Sequence, residues 1–277
     1  MSGDVWRLLD LALGDGPWNI AVDEAILASV AAGRSPTTLR LYGWAQPCVS
    51  IGCAQAVSDL DLEACEREGL PLVRRASGGT AVLHEACLAY SLALPANHPL
   101  AVPDVVESYR RLGPPILAAM RRLGVNGRVV PPEEAHRGGR REGLGSSACF
   151  ASLAPYELVL RGRKLVGNSQ LRRRGVVLHH AMALLDFDPA RFASLLRSES
   201  PEGRARLAEL LAGLVGSLRW ALGEEVSPGA LAEALEAGFA EALGVRLRPG
   251  ELTPDEREDA RRLVGERYGN PEWTYRR

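Results

Sequence analysis

The apolar residues of this chain change period about two-thirds of the way along it, and that switch restricts the fold more than any single motif. Up to about residue 186, short apolar runs with strand-like alternation prevail. They include Leu39-Arg40-Leu41-Tyr42-Gly43-Trp44, Cys48-Val49-Ser50-Ile51-Gly52, Leu72-Val73-Arg74-Arg75, Ala81-Val82-Leu83-His84, Leu88 to Leu94 and Val176 to Asp186. Tyr156 to Leu160 and Lys164 to Gln170 read as a hairpin around Arg161-Gly162-Arg163. Helical spacing interrupts these strands over 18–30, over 59–68 with Gly69 as a stop, and over 104–124, where Pro114-Pro115 predicts a kink or restart. From about residue 189 the spacing is helical, over 204–222 and 228–243. Thr253-Pro254-Asp255-Glu256 then supplies a capping threonine, a proline at the first helical position and a glutamate at the third. Sheet first and helices last predict an α+β fold. At 277 residues it is one large domain over 1–247 with a small helical C-terminal appendage over 248–277.

A formal charge of −1 argues against a protein built to bind a nucleic-acid backbone. No apolar run approaches the ~20 residues of a membrane span, and the Met1-Ser2-Gly3-Asp4 start lacks the features of a signal peptide. A cytoplasmic protein without membrane association is expected. The five cysteines, Cys48, Cys53, Cys65, Cys87 and Cys149, form no C-x₂-C pair, so neither a disulfide framework nor a metal site is predicted. Of the 33 lysines and arginines, Lys164 is the only lysine. Where arginine has taken every other basic position, the survivor either marks a place that needs an ammonium able to lose its proton or act as a compact donor, or has lingered by chance.

Three stretches carry chemistry-bearing residues. In Arg74-Arg75-Ala76-Ser77-Gly78-Gly79-Thr80-Ala81-Val82-Leu83-His84, a glycine pair between two strands lets backbone amides approach a ligand, and paired arginines suit a carboxylate or phosphate. The same stretch is equally readable as a tight hairpin with solvated charges. Gly162-Arg163-Lys164-Leu165-Val166-Gly167-Asn168-Ser169-Gln170 sets the lone lysine beside small polar donors, a place to hold a carbonyl oxygen as charge builds on it, or else a charged hairpin edge. Gly145-Ser146-Ser147-Ala148-Cys149-Phe150 ends a breaker-rich stretch over 131–147, read as a long loop, with a thiol that a nearby cation would activate. His179-His180 lies on a strand, so at most one of the two is expected to touch a substrate.

In this order, and with Leu39-Arg40-Leu41-Tyr42-Gly43-Trp44 before them, these motifs resemble the lipoate–protein ligase and octanoyltransferase family. The likeness runs from Trp18-Asn19-Ile20-Ala21-Val22-Asp23-Glu24-Ala25 to Asn270-Pro271-Glu272-Trp273. Ala148-Cys149-Phe150 followed by Tyr156-Glu157-Leu158 is similar to octanoyltransferases of the LipM type, which carry a nucleophilic cysteine there. Thr80, Asn168-Ser169 and Ala181 depart from the family's usual spelling, and Asn-Ser is shared with related amidotransferases.

The resemblance implies a biotin/lipoate-ligase-like catalytic domain that takes an octanoyl group from acyl carrier protein and passes it to a lysine of a lipoyl-domain protein, such as the glycine cleavage H protein. Cys149 would carry the acyl group as a thioester, with Lys164 favouring the thiolate and holding the acyl carbonyl. Arg74, Arg75, Ser77, Gly78, Gly79, His84, Gly167, Asn168, Ser169 and His179 are the expected substrate-binding residues. Arg74, Arg75 and the Arg172-Arg173-Arg174 run would attract an acidic carrier, although the run is equally readable as a solvated hairpin tip. No cofactor or metal is expected. The alternatives are an ATP- and magnesium-dependent lipoate ligase, which would tolerate loss of Cys149, an amidotransferase between lipoyl proteins, and a non-catalytic carrier- or lipoate-binding protein.

Overall fold

The computed structural model describes residues 3–137, 153–173 and 175–276. Among them eleven strands form two sheets. They are β1 (Val5–Gly14), β2 (Thr38–Trp44), β3 (Cys48–Ile51), β4 (Leu72–Arg74), β5 (Val82–His84), β6 (Cys87–Leu94), β7 (Arg128–Val129), β8 (Leu158–Leu160), β9 (Arg163–Arg173), β10 (Val176–Leu184) and β11 (Arg246–Pro249). The larger sheet runs β11-β1-β2-β6-β10-β9-β8-β7 and the smaller β4-β3-β5. β1 pairs in parallel with β2 and β11, whereas β2, β6, β10, β9, β8 and β7 pair antiparallel. No helix among the described residues is long and apolar enough to cross a membrane.

Both faces of the larger sheet are covered, so its central strand β6 is buried along its whole length and reads as an unbroken apolar run. One face packs under the helices Val105–Arg122 and Pro228–Leu243, which bury Leu112, Ile116, Leu231 and Phe239 against Leu39, Tyr90, Leu92 and Val177. On the other face lie the helix Gly16–Ala31 and the smaller sheet with its own helices, two further apolar clusters. Strand pleating sorts β10 between the layers. Val177 and Ala183 join the first layer, and Leu178 and Met182 the opposite clusters.

Most expected elements form, and the differences have physical causes. Val105–Arg122 stays one continuous helix through Pro114 and Pro115. It is clamped there by its neighbour, since a Cβ on Gly238 would lie 2.5 Å from the Pro115 carbonyl. The helix expected over 204–222 is two, Pro201–Leu214 and Leu218–Leu222. The chain breaks between them because Val215 bridges to Lys164 and the Gly216 amide donates to the Lys164 carbonyl at 3.0 Å, bracing β9 from behind. Within the stretch read as a loop, Pro132–Arg137 is helical.

The expected boundary at 247/248 falls inside β11, which pairs with β1. Beyond it, the capping box on Thr253 and Glu256 starts the helix Pro254–Leu263 as the sequence predicts, and Ala260 and Tyr268 are buried in one cluster with the Gly16–Ala31 helix.

Candidate active site

Between the smaller sheet and strands β9 and β10 lies a cavity of about 340 Å³, within the range of small-molecule pockets. Its apolar lining comes from residues such as Trp44, Val82, Ala89 and Met182, and its polar lining from Glu157, Lys164 and Asn168.

The turn after β4 forms one wall. Gly79 has φ +89°, a conformation that favours glycine, and a Cβ on Gly52 would lie only 1.9 Å from the Gly79 carbonyl, so two stretches of backbone meet there. Arg75 is folded back into the turn. Its guanidinium donates to the Gly78 carbonyl at 2.9 Å, the Thr80 carbonyl at 2.8 Å and Ser50 Oγ at 3.0 Å. Ser50 in turn bonds His84 Nε2 at 2.8 Å, and the imidazole stacks on Trp44 at 3.7 Å. Burial, with Arg75 and His180 adding to it, holds His84 well below the ordinary histidine range. The ring is therefore neutral, and its tautomer decides which of the two donates in the bond to Ser50.

The facing wall is the β8–β9 hairpin. Arg161 and Gly162 both have positive φ (48° and 80°), the two-residue turn that matches strand twist. It sets Val159 opposite Lys164. Lys164 is only 3% exposed and Glu157 2%, and Lys164 Nζ sits 2.7 Å from Glu157 Oε1. The carboxylate also accepts the amides of Ala154 at 2.7 Å and Asn168 at 3.2 Å.

Of the residues expected to act on substrate, Arg75, Gly78, Gly79, His84, Lys164, Gly167, Asn168 and Ser169 line this cavity. Ser77 lies just behind it, bonded through Oγ to His180 Nε2 at 2.9 Å. Cys149 and Arg174 lie outside the described residues.

Two expectations are corrected. Arg74 and Arg75 do not present charge to an acidic partner, because both are buried. Arg74 is instead a buried tie that donates to the carbonyls of Gly52, Gln55 and Thr274, the last 200 residues away. His179 does not reach the cavity. It lies on the opposite face of β10, shares a hydrogen bond with the Tyr90 hydroxyl, and burial pushes it down to about 3. Its neighbour His180 faces the cavity.

Of the run at the β9–β10 turn, Arg172 donates to the Val102 carbonyl and to Gln170, and Arg173 pairs with Glu24.

The sequence reading missed Glu157 as a functional group and missed the support behind His180. Asp23, on the Gly16–Ala31 helix, lies 4.0 Å from His180 Nδ1 and is held by Arg40 at 2.6 Å, Ser91 at 2.7 Å and Tyr42 at 2.9 Å. Burial alone would raise the Asp23 carboxyl, but Arg40, His180 and Ser91 outweigh it and hold it below the usual carboxylate range. The available signal for Glu157 was the hairpin itself, since a turn at Arg161-Gly162 folds residue 157 back towards 164–168.

A profile of the lipoyl protein ligase A/B catalytic domain matches residues 15–240. An octanoyltransferase LipM of Kyrpidia tusciae is 43% identical over 98% of this chain and 99% of its own. Another octanoyltransferase LipM, from Symbiobacterium thermophilum, is 39% identical over 98% of both chains. Among solved structures, a bipartite lipoate protein ligase of Thermoplasma acidophilum, described with its E2 lipoyl domain, superposes with a TM-score of 0.79. It is 25% identical and covers 99% of this chain and 96% of the other. A lipoate–protein ligase A bound with ATP gives 0.75 at 25% identity, over 99% of each chain.

Proposed function

The chain belongs to the lipoyl protein ligase A/B catalytic-domain family, and we propose that within it the protein is an octanoyltransferase of lipoate biosynthesis working through a thioester on Cys149. The observation that carries this reading is the buried Lys164–Glu157 pair in the cavity wall, in a chain that aligns end to end with relatives named octanoyltransferase. That the lone lysine of the sequence lines the cavity supports giving it the part of a cation that acts on a bound acyl group.

In the proposed reaction the Cys149 thiolate attacks the carbonyl carbon of an octanoyl thioester on acyl carrier protein. The carbon–sulfur bond to the carrier breaks, and the carrier's thiolate leaves and takes up a proton. Lys164, held by Glu157, donates to the carbonyl oxygen as negative charge builds on it. Its cationic field also favours the Cys149 thiolate. A neutral lysine amine of a lipoyl-domain protein, such as the glycine cleavage H protein, then attacks the acyl-enzyme. The amide forms, its surplus proton is lost, and the cysteine is released. Exchange of one thioester for another is nearly isoenergetic and the amide lies downhill, so no ATP, cofactor or metal enters the scheme. The Gly78–Gly79 turn and Gly167, which carry no side chains to obstruct it, would wall the acyl slot.

The second reading is activation of free lipoate with ATP, favoured by the likeness to the ATP-bound ligase. The two separate in one assay. With octanoyl carrier protein and a lipoyl domain but no nucleotide, the domain should gain one octanoyl group. Modification only when ATP, magnesium and lipoate are supplied would move the assignment to the ligase.

A further inference from the structure

We propose that Glu157 is the positioning residue for Lys164: it keeps the ammonium charged and aimed into the cavity, and so sets the rate of acyl transfer without touching the substrate's reacting atoms. The proposal rests on the reading above.

Three observations support it. First, the carboxylate is oriented by the backbone independently of the lysine, because Oε2 accepts from the Ala154 amide at 2.7 Å and Oε1 from the Asn168 amide at 3.2 Å. Glu157 therefore offers Lys164 a fixed anchor rather than a mobile counter-ion.

Second, the chain is bent to deliver it. Tyr156 has φ +62°, uncommon outside glycine. The bend is secured on both sides, as Tyr156 N donates to Val130 O at 2.7 Å and Val130 N to Glu157 O at 2.9 Å. The Asn168 side chain adds a bond to the Tyr156 carbonyl at 3.3 Å.

Third, the pair gives the fold little that apolar residues would not. Two charges at 3% and 2% exposure forgo most of their hydration, and well-packed apolar residues of similar volume usually replace such a pair at no loss of stability. Placing it in a cavity wall makes chemical sense, since a buried ammonium without its carboxylate favours the neutral amine. A neutral amine is a poor stabiliser of a developing oxyanion. Glu157 thus couples three parts of the site: the cation on β9, the wall at Asn168, and Ala154, five residues after Cys149 in the chain.

The single lysine makes the proposal directly observable, because protein grown on lysine labelled with ¹³C at Cε has one side-chain resonance to follow. On raising the pH, the Lys164 signal of Glu157→Gln should leave its ammonium position about one pH unit or more below the unmodified protein. In the octanoyl-transfer assay the same variant should lose about tenfold or more in kcat, with KM for the acyl donor within about threefold. Glu157→Asp, which keeps the charge on a shorter arm, should restore the titration and part of the rate. It also serves where the Gln variant fails to fold. Equal titration of Lys164 in the Gln variant and the unmodified protein, or an Asp variant no better than Gln, overturns the proposal. Should the transferase reading itself fail, octanoyl transfer is absent from the unmodified protein too, while the resonance still reports whether Glu157 holds the lysine.

Discussion

Arg7–Glu256, whose arginine is only partly buried, and the fully buried Lys164–Glu157 are ion pairs of nearly equal length, 2.6 Å and 2.7 Å, yet they are bonded differently. Arg7 meets Glu256 with both arms of its fork, at 2.6 and 2.8 Å, and its Nε donates to Thr38. Glu256 is saturated further by Ser35 and by the Thr253 amide of its own capping box. This pair ties the C-terminal helix to the first strand. Lys164, a point charge rather than a planar fork, meets a carboxylate that the backbone has already fixed, and it lines a cavity. The choice of cation follows the task. A guanidinium suits a closed, fully bonded joint, and an ammonium suits the wall that, in the proposed reaction, also holds a substrate oxygen.

The most severe test of this contrast is Lys164→Arg. It keeps the charge but replaces a compact donor with a larger planar one at a site only 3% exposed. Transfer should fall by about 10²- to 10³-fold, read in a steady-state assay, and a variant within threefold of the unmodified protein would erase the distinction. Next comes Glu256→Gln, which leaves Arg7 without its counter-charge. Urea unfolding should show a loss of about 3–5 kcal/mol, whereas transfer measured where the variant is folded should stay within about twofold. Lost transfer with intact stability would reverse the assigned roles.

A smaller effect comes from a buried group that belongs to neither pair. His179 is pushed down to about 3 by burial, so between the ordinary histidine value and that point the unfolded chain holds a proton that the folded one does not. Stability should therefore be complete above about pH 6.5 and fall on acidification by up to about 1.4 kcal/mol per pH unit for this one group. Replacing His179 with Gln should flatten that limb of the stability–pH curve, and an unchanged slope would place the proton uptake elsewhere.

The architecture and several residues that line the cavity are legible in the sequence, and the reading fails where the partner is distant or the period is broken. The Gly78–Gly79 turn and the Arg161–Gly162 hairpin are local and were legible from turn chemistry. The alternation of β10 showed that His179 and His180 face opposite ways, but both faces of that strand are buried, so pattern alone could not say which faces the cavity. Arg74 and Arg75 look alike in sequence. One is tied to the Thr274 carbonyl, 200 residues on, and the other to a turn three residues away. Only the second kind of partner is foreseeable. β1 escaped notice because a register irregularity between Leu9 and Ala12 interrupts its alternation, and β11 is a four-residue edge strand defined by its pairing with β1.

The central proposal is that Cys149 carries the acyl group as a thioester and that Lys164, in the cavity wall, acts on it. The direct measurement is intact-protein mass after mixing with octanoyl carrier protein in the absence of ATP, for the unmodified enzyme and Cys149→Ser. One octanoyl adduct on the unmodified enzyme, removed by hydroxylamine and absent from the serine variant, is the predicted result. An adduct that survives the substitution, or none at all on an enzyme that forms acyl adenylate once ATP and lipoate are added, would contradict it.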